Sequence, residues 1–549
     1  MSGQGILGLP RDGGALAAAV LARHGVDTVF TLSGGHLFPL YDGCVKSGIR
    51  LVDTRHEQTA TFAAEGLAKV TRRVGVAAVT AGPGVTNAVS AIAAAHMSGS
   101  PLVVIGGRAP ERIWGLGSLQ ELDHVPIVAS ITKLAATAKS PERIGAELDR
   151  ALHLAVVPHR GPTFVDVPID EWGPLPEGAA DDLTTSGAER EHGDSPDSDD
   201  IAAVATLVRD AARPVLMVGT DAYWAVAEDA LRGFAEAALI PVFGNDLGRG
   251  LLPADHDLAF SRARTTAFRN ADLVVVAGTP LDFRLGFGRF GDARVVHLAD
   301  TAAGVSPNIE LAGSVAGDLA ATFAALAEHA PRSAVHQDWV QELRGDETKR
   351  RAAEQDRLES AASPIDPARV YGELRKRLAR DAIVIGDGGD FVSYTGKYVD
   401  TFVPGCFLGP GPFGCLGSGT GYALAAACAH PDRQIVVCFG DGAIGFSLGD
   451  LDSLVRHDAN VTAIVGNNGI WGLEKHPMQA VYGYDVVAEL RPGTRYDEVA
   501  IALGGHGELV SEPDEIGPAL DRAFAHRGLS VVNVLTDPAD VYPRSSRLG

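Results

Sequence analysis

The stretch GDGAIGFSLGDLDSLVRHDANVTAIVGNNGIW, residues 440–471, decides how the rest of the chain is read. An apolar run at 434–439 delivers the backbone to Gly440, Asp441 and Gly442, and a second apolar run at 461–465 ends at Asn467 and Asn468. Two such runs joined by a helical segment predict neighbouring parallel strands, whose ends on one sheet edge form a ligand crevice. Asp441 and Asn468 should meet there. A carboxylate, an amide oxygen and a backbone carbonyl are an oxygen-only set suited to Mg²⁺ held against a diphosphate. Taken alone, Gly-Asp-Gly is common turn chemistry and Asn-Asn a helix cap. The paired spacing and the segments upstream favour the ligand reading.

A chain of 549 residues is too long for one core and points to about three domains. Hydrophobic residues at 46% supply several buried sheets. The net charge of -22 excludes nonspecific nucleic-acid binding, which needs a basic surface. Cys44, Cys406, Cys415, Cys428 and Cys438 have neither metal-site nor secreted-framework spacing and read as reduced. The N-terminus lacks a signal-peptide pattern, and no apolar run is long enough for a membrane span, so a cytoplasmic protein is expected.

In chain order, helical periodicity at 15–24 stops at Gly25, and the β-like run 26–32 opens into SGGH (33–36). The short strand 49–54 leads to RHEQ (55–58) and an Ala-rich helix at 59–70. Strand 75–80 runs into AGPGVTN (81–87), where small residues and a cap-forming Asn87 suit close contact with a ligand ring. Strands at 102–106 and 162–167 complete a first domain over 1–175. Residues 176–200 are rich in Gly, Ser, Asp, Glu and Pro and read as a linker. A second α/β unit follows at 201–331, with strands at 213–219, 240–243 and 271–278. A formal GxGxxG at 286–291 follows no strand directly and opens no helix, so it announces no dinucleotide site. The polar, helix-prone stretch 332–363 reads as a second linker to a third domain at 364–549. There DGGD (387–390) offers successive backbone N–H groups, at Gly388, Gly389 and Asp390, to a phosphate. The outer domains read as similar folds without a residue-level repeat.

Together these segments resemble the thiamine-diphosphate enzymes of the acetolactate synthase type, over essentially the whole chain. GDG, 24 residues, then NN matches that superfamily's cofactor signature, with RHEQ, AGPGVTN and GPFGCLGSG (411–419) at the expected places. The resemblance implies three doubly wound parallel-sheet α/β domains: pyrimidine-binding, central nucleotide-binding-like, and diphosphate-binding. It implies Mg²⁺ ligation by Asp441, Asn468 and the Ile470 carbonyl, with Gly440, Gly442 and Ala443 beside the diphosphate. Leu416, next to Cys415, would bend the cofactor. Pro83 and Asn87 would line its ring, and Glu57 would face N1′ of the aminopyrimidine and share a proton with it. Because that glutamate comes from the neighbouring subunit in the family, a homodimer or homotetramer with shared sites is implied.

Substrate choice lies in departures from the shared pattern. Acetolactate synthases carry an arginine in a segment like RFDDR that holds a 2-oxo acid carboxylate, and PLDFR (280–284) places Arg284 there, where it could equally pair with a nearby acid. Oxalyl-CoA decarboxylases and 2-hydroxyacyl-CoA lyases look like LNW at that point. Against this, NNGIW resembles the NNGGIY of the CoA-dependent branch, and Trp471 should narrow the pocket at the reacting carbon. His36 stands where benzaldehyde lyase is similar in having histidine, and could relay protons. Gln120 matches a loop shared by several branches. Arg262, Arg264 and Asp300 could serve a middle-domain nucleotide, FAD in acetolactate synthases and ADP or CoA in the other branch, or equally be surface charges. The expected activity joins two pyruvates to 2-acetolactate and CO2, with a regulatory subunit as a further expected partner. The alternatives are an acyl-CoA lyase or decarboxylase, and a silent paralogue acting as a subunit. Glu57, Asp441 and Asn468 together count against the last.

Overall fold

Short runs rich in Val, Ile and Ala, buried on both faces, make parallel strands when helices cover the sheet. The computed structural model describes residues 10–176, 193–329 and 334–542. Among them every strand pairing within the sheets is parallel.

The first sheet contains β1 (Thr28–Thr31), β2 (Arg50–Asp53), β3 (Gly75–Val79), β4 (Leu102–Arg108), β5 (Leu134–Thr137) and β6 (Thr163–Pro168), in the order 2-1-3-4-6-5. The second holds β7 (Pro214–Val218), β8 (Val242–Gly244), β9 (Ala259–Phe260), β10 (Leu273–Ala277), β11 (Arg294–Ala299) and β12 (Gly313–Ala316), in the order 12-11-10-7-8-9. The third holds β13 (Ile383–Asp387), β14 (Phe407–Leu408), β15 (Ile435–Gly440), β16 (Val461–Asn467), β17 (His506–Val510) and β18 (Leu529–Leu535), in the order 14-13-15-16-18-17. Renumbered from its own first strand, the third sheet has the same order as the first. The outer sheets are therefore topological copies without being sequence copies. The middle sheet, read from β9, has the doubly wound order 3-2-1-4-5-6.

The chain forms two compact units. One comprises Met1–Glu191, Phe413–Ala429 and Ser447–His457, and the other His192–Pro412, His430–Phe446 and Asp458–Gly549. Within the first, the Ser418–Ala429 helix crosses the Glu57–Thr71 helix so closely that a Cβ on Gly421 would lie 2.8 Å from the Thr59 carbonyl oxygen. A Cβ on Gly66 would lie 2.9 Å from the Tyr422 Cα. The crossing seals a charged network. Lys69 Nζ donates to Tyr422 Oη at 2.9 Å and pairs with Glu65 Oε1 at 2.8 Å. Tyr422 Oη donates to Glu65 Oε2 at 2.7 Å, and Ser100 Oγ to Oε1 at 3.0 Å. Such a network is tolerable in a dry interior because its charges are paired.

Most of the expected linker at 176–200 lies outside the described residues. The polar stretch 332–363 contains the Ala334–Ala353 helix, which turns His336, Trp339 and Leu343 inward. Trp339 and Leu343 belong to the core around β7, β10 and β11. The ring nitrogens of His336 bond the Ala238 and Ala211 carbonyls at 2.7 and 2.8 Å, and Trp339 Nε1 donates to the Pro214 carbonyl. At 286–291 the backbone adopts left-handed φ at Gly286, Phe287, Gly288 and Gly291 and opens no long helix. Among the described residues no helix is long and apolar enough to cross a membrane.

Candidate functional site

In the second unit, β15 and β16 pair with Gly440 opposite Gly466, so both chains leave the sheet at one edge. Asp441 begins a short helix directly after β15. Its Oδ2 accepts the Gly469 N–H at 2.7 Å and its Oδ1 the Gly442 N–H at 2.9 Å. Asn468 Oδ1 accepts the Ile470 N–H at 3.2 Å. Asp441 thus meets the turn after β16 through the Gly469 amide, while the Asn468 side-chain oxygen is turned onto the Ile470 amide. Burial pushes the Asp441 carboxyl up to about 6 despite the amide donors on it, the state of an anion short of a counter-charge. The neighbouring cavity is lined by Gly389, Asp390, Gly440, Gly442, Ala443 and Trp471 among others. Gly388 caps the Gly389–Tyr398 helix at φ 78°, so that helix N-terminus opens on the cavity.

Trp471 lies across the glycine turn. A Cβ on Gly442 would be 2.4 Å from its Cζ3, and Phe446 packs edge-on to its ring at 6.4 Å. Asp390 leans toward Gly472, where a Cβ would lie 2.8 Å from its Oδ2.

In the first unit, Glu57 is the first residue of the Glu57–Thr71 helix and is buried. Asn87 Nδ2 donates to its Oε2 at 2.9 Å. The expectation that Asn87 caps a helix fails: Gly82 is the cap, the helix starts at Pro83, and Asn87 lies inside it. One turn of Pro83–Met97 is what brings Asn87 round to Glu57. The Leu416 carbonyl accepts a bond from Gln58 Nε2 at 3.4 Å, and Cys415 Sγ contacts the Ser90 carbonyl at 3.6 Å. His36 is buried with Nδ1 3.1 Å from Thr80 Oγ1. Burial, then the nearby His124, holds its pKa below the usual imidazole value. Gln120 has a left-handed φ of 61° and packs on Gly82, where a Cβ would lie 3.0 Å from its own Cβ.

Arg284, in the second unit, is engaged by two carboxylates. Its Nε and Nη2 donate to Asp282 Oδ2 at 3.0 and 2.7 Å, and Nη1 pairs with Asp246. Of the middle-domain cations, Arg262 pairs with Glu354 at 3.1 Å and Asp400 at 3.7 Å. Arg264 lines a cavity of ≈150 Å³ with Arg249, Arg351 and Thr401.

Sequence reading missed three contributors. Gly466 sits under the Phe391 ring, where a Cβ would be 2.3 Å from Cδ2, and a glycine ending an apolar strand was the available signal. Tyr496 Oη donates to the Asp441 carbonyl at 3.1 Å. His124 accepts the Gly82 N–H at 2.9 Å. Neither of the last two has a local signal, since each partner is remote in sequence.

Comparison with known proteins agrees with this geometry. Residues 11–127 match the thiamine pyrophosphate enzyme N-terminal TPP binding domain, 201–326 its central domain and 387–534 its C-terminal TPP binding domain. The chain is 55% identical over 542 residues, 97% of both chains, to the acetolactate synthase large subunit IlvG of Mycobacterium tuberculosis and to a probable acetolactate synthase of Mycobacterium bovis. It is 34% identical over 547 residues to human 2-hydroxyacyl-CoA lyase 2, covering 92% of this chain and 86% of that one. With matched cofactor domains at both ends and near-complete coverage by its relatives, the chain belongs to the thiamine pyrophosphate enzyme family.

Proposed function

We propose that the chain is an acetolactate synthase-like carboligase dependent on thiamine diphosphate and Mg²⁺, which decarboxylates a small 2-oxo acid, pyruvate, and joins the remaining fragment to a second carbonyl compound. The observation that carries this reading over an acyl-CoA lyase is 55% identity to an acetolactate synthase large subunit across 97% of both chains, against 34% to the lyase.

The residues present fit the metal. Asp441, Asn468 and the Ile470 carbonyl offer hard oxygen donors from two adjoining strand ends, and the raised Asp441 carboxyl gains a counter-charge from a cation. Gly388, Gly389 and Asp390 present the N–H groups of a helix start to a diphosphate, with Gly440, Gly442 and Ala443 on the facing wall. When bound, thiamine diphosphate supplies the electron sink that carbon–carbon cleavage and bond formation require. Glu57 holds and shares a proton with the aminopyrimidine N1′, and the Asn87 amide on Oε2 fixes which oxygen faces it. Pro83, Asn87, Cys415 and Leu416 frame the ring. His36, neutral near pH 7, accepts protons on the substrate side, Gln120 orients the substrate, and Trp471 walls the pocket. Arg284 receives the acceptor's carboxylate by exchange with Asp246.

The chemistry above needs no FAD or ADP, and Arg262 is paired with Glu354 and Asp400. A homodimer or homotetramer completes the sites. The description of the mycobacterial relative as a large subunit supports a search for a regulatory partner.

The test incubates purified protein with thiamine diphosphate and Mg²⁺ and offers, in separate tubes, pyruvate, 2-oxobutyrate, and formyl-CoA with a ketone, identifying products by mass. Acetolactate from pyruvate, abolished by Glu57→Gln and weakened by Arg284→Ala, is the expected result. Turnover with CoA thioesters alone rules the reading out, and no turnover with cofactor bound favours a silent subunit.

A further inference from the structure

The loop that begins the Pro83–Met97 helix is tied to a buried imidazole outside the residues assigned above. His124 has no exposed surface, and its Nε2 accepts the Gly82 N–H at 2.9 Å. That bond leaves Nε2 without a proton and assigns the proton to Nδ1, which donates to Asp166 Oδ2 at 2.9 Å. Asp166 is itself fully buried and also accepts from Arg108 Nη1 at 3.2 Å, whose guanidinium stacks 3.9 Å from the Trp114 ring. Phe164 covers the imidazole edge-on.

What this assembly holds is the first residue of a helix start, whose own carbonyl accepts the Thr86 N–H at 3.1 Å. Gly82 is the helix cap, at a φ of 58° that L side chains rarely adopt, and Gln120 packs against it. The helix it starts carries Asn87, whose amide grips Glu57. A continuous line therefore runs from Asp166 through the His124 imidazole and the Gly82 amide to the helix that presents Asn87.

We propose that His124 is a positioning residue for the acid–base glutamate: its imidazole anchors the Gly82 amide and thereby sets the register in which Asn87 holds Glu57. The inference rests on the reading of Glu57 as the proton-sharing group. Losing the anchor lets the helix start shift by a fraction of an ångström, and small misplacements at a reacting centre cost rate without requiring any loss of binding. Arg108 remains as a partner for Asp166 when His124 is replaced, so the buried carboxylate is not left alone.

The experiment compares Glu57→Gln, His124→Leu and His124→Gln in the full-length protein with thiamine diphosphate and Mg²⁺. Three quantities are read: hydrogen–deuterium exchange at C2 of the bound cofactor after acid quench, the kcat and KM for pyruvate, and thermal melting. In His124→Leu, C2 exchange and kcat should fall together, on the order of 10- to 100-fold, with KM and cofactor loading within about threefold. His124→Gln, whose amide can accept from Gly82 and donate to Asp166, should recover most of the rate. Slow exchange in Glu57→Gln with wild-type exchange in His124→Leu overturns the proposal alone. Wild-type exchange in Glu57→Gln overturns the glutamate reading and the proposal with it. A His124→Gln protein that melts normally yet is as slow as His124→Leu also overturns it, because the hydrogen bond is then not the cause. If His124→Leu does not fold, His124→Asn, polar but too short to span Gly82 and Asp166, takes its place: slowed C2 exchange with normal melting is expected, and wild-type exchange overturns the proposal.

Discussion

At the scale of single residues, the site is built by glycines that let rings approach the backbone. Gly442 is the clearest case, since Trp471 lies where its side chain would be. Gly442→Ala should retain the fold but force the indole to tilt, an overpacking change costing about 1–3 kcal/mol and weakening cofactor binding. The check is a double-mutant cycle by urea unfolding: with Trp471→Ala present, the added cost of the alanine should shrink by more than half. An unchanged cost would mean that the indole is not what the glycine serves. The place of Glu57 at a helix start is legible in RHEQ, whereas its bond from Asn87, a residue expected as a cap, is not. The pairing of Arg284 with Asp246 spans 38 positions and the anchoring of Gly82 by His124 spans 42, so no window of sequence could show either.

At the scale of elements, apolar runs such as 271–278 and 461–465 declared themselves, while β5, β9, β11, β12 and β18 did not, although β11 and β18 are six and seven residues long. The strand state of β5, β9 and β12 comes from pairing with neighbours, not from local preference. The Ala334–Ala353 helix was legible as a helix but not as part of the core, since only a few inward positions, His336, Trp339 and Leu343, break its polar surface. β11 carries a pH effect. His297 is buried there, with Nδ1 accepting the Ser306 N–H at 2.9 Å and Nε2 donating to the Thr279 carbonyl at 3.1 Å. Burial holds its pKa below the ordinary 6.5. The unfolded chain thus binds a proton that the folded chain refuses, so this stabilisation is complete above pH 6.5 and lost as pH falls toward the folded pKa. His297→Gln, which cannot titrate, should show a shallower fall in urea midpoint between about pH 6.5 and 5 than the unmodified protein. Equal slopes would remove His297 from the account.

At the scale of the whole molecule, the two outer sheets repeat one topology, yet the first is not finished by its own stretch of chain. Residues 413–429 and 447–457 belong to the unit that holds β1 to β6. A fragment of residues 1–176 should therefore lack a cooperative urea transition and bind a hydrophobic dye, because Phe62 and Gly66 lose the helix they pack on. A sharp transition in the fragment, without dye binding, would show that the returning segments are dispensable. The sealed Glu65–Lys69–Tyr422 network carries the same dependence into the living cell. Lys69 and Tyr422 are 353 positions apart, so at about 5–20 residues per second the ribosome presents the tyrosine roughly 20 to 70 seconds after the lysine. For that interval the nascent first sheet stands with an uncovered helix face, and the period in which a chaperone has something to hold is written into the order of the sequence.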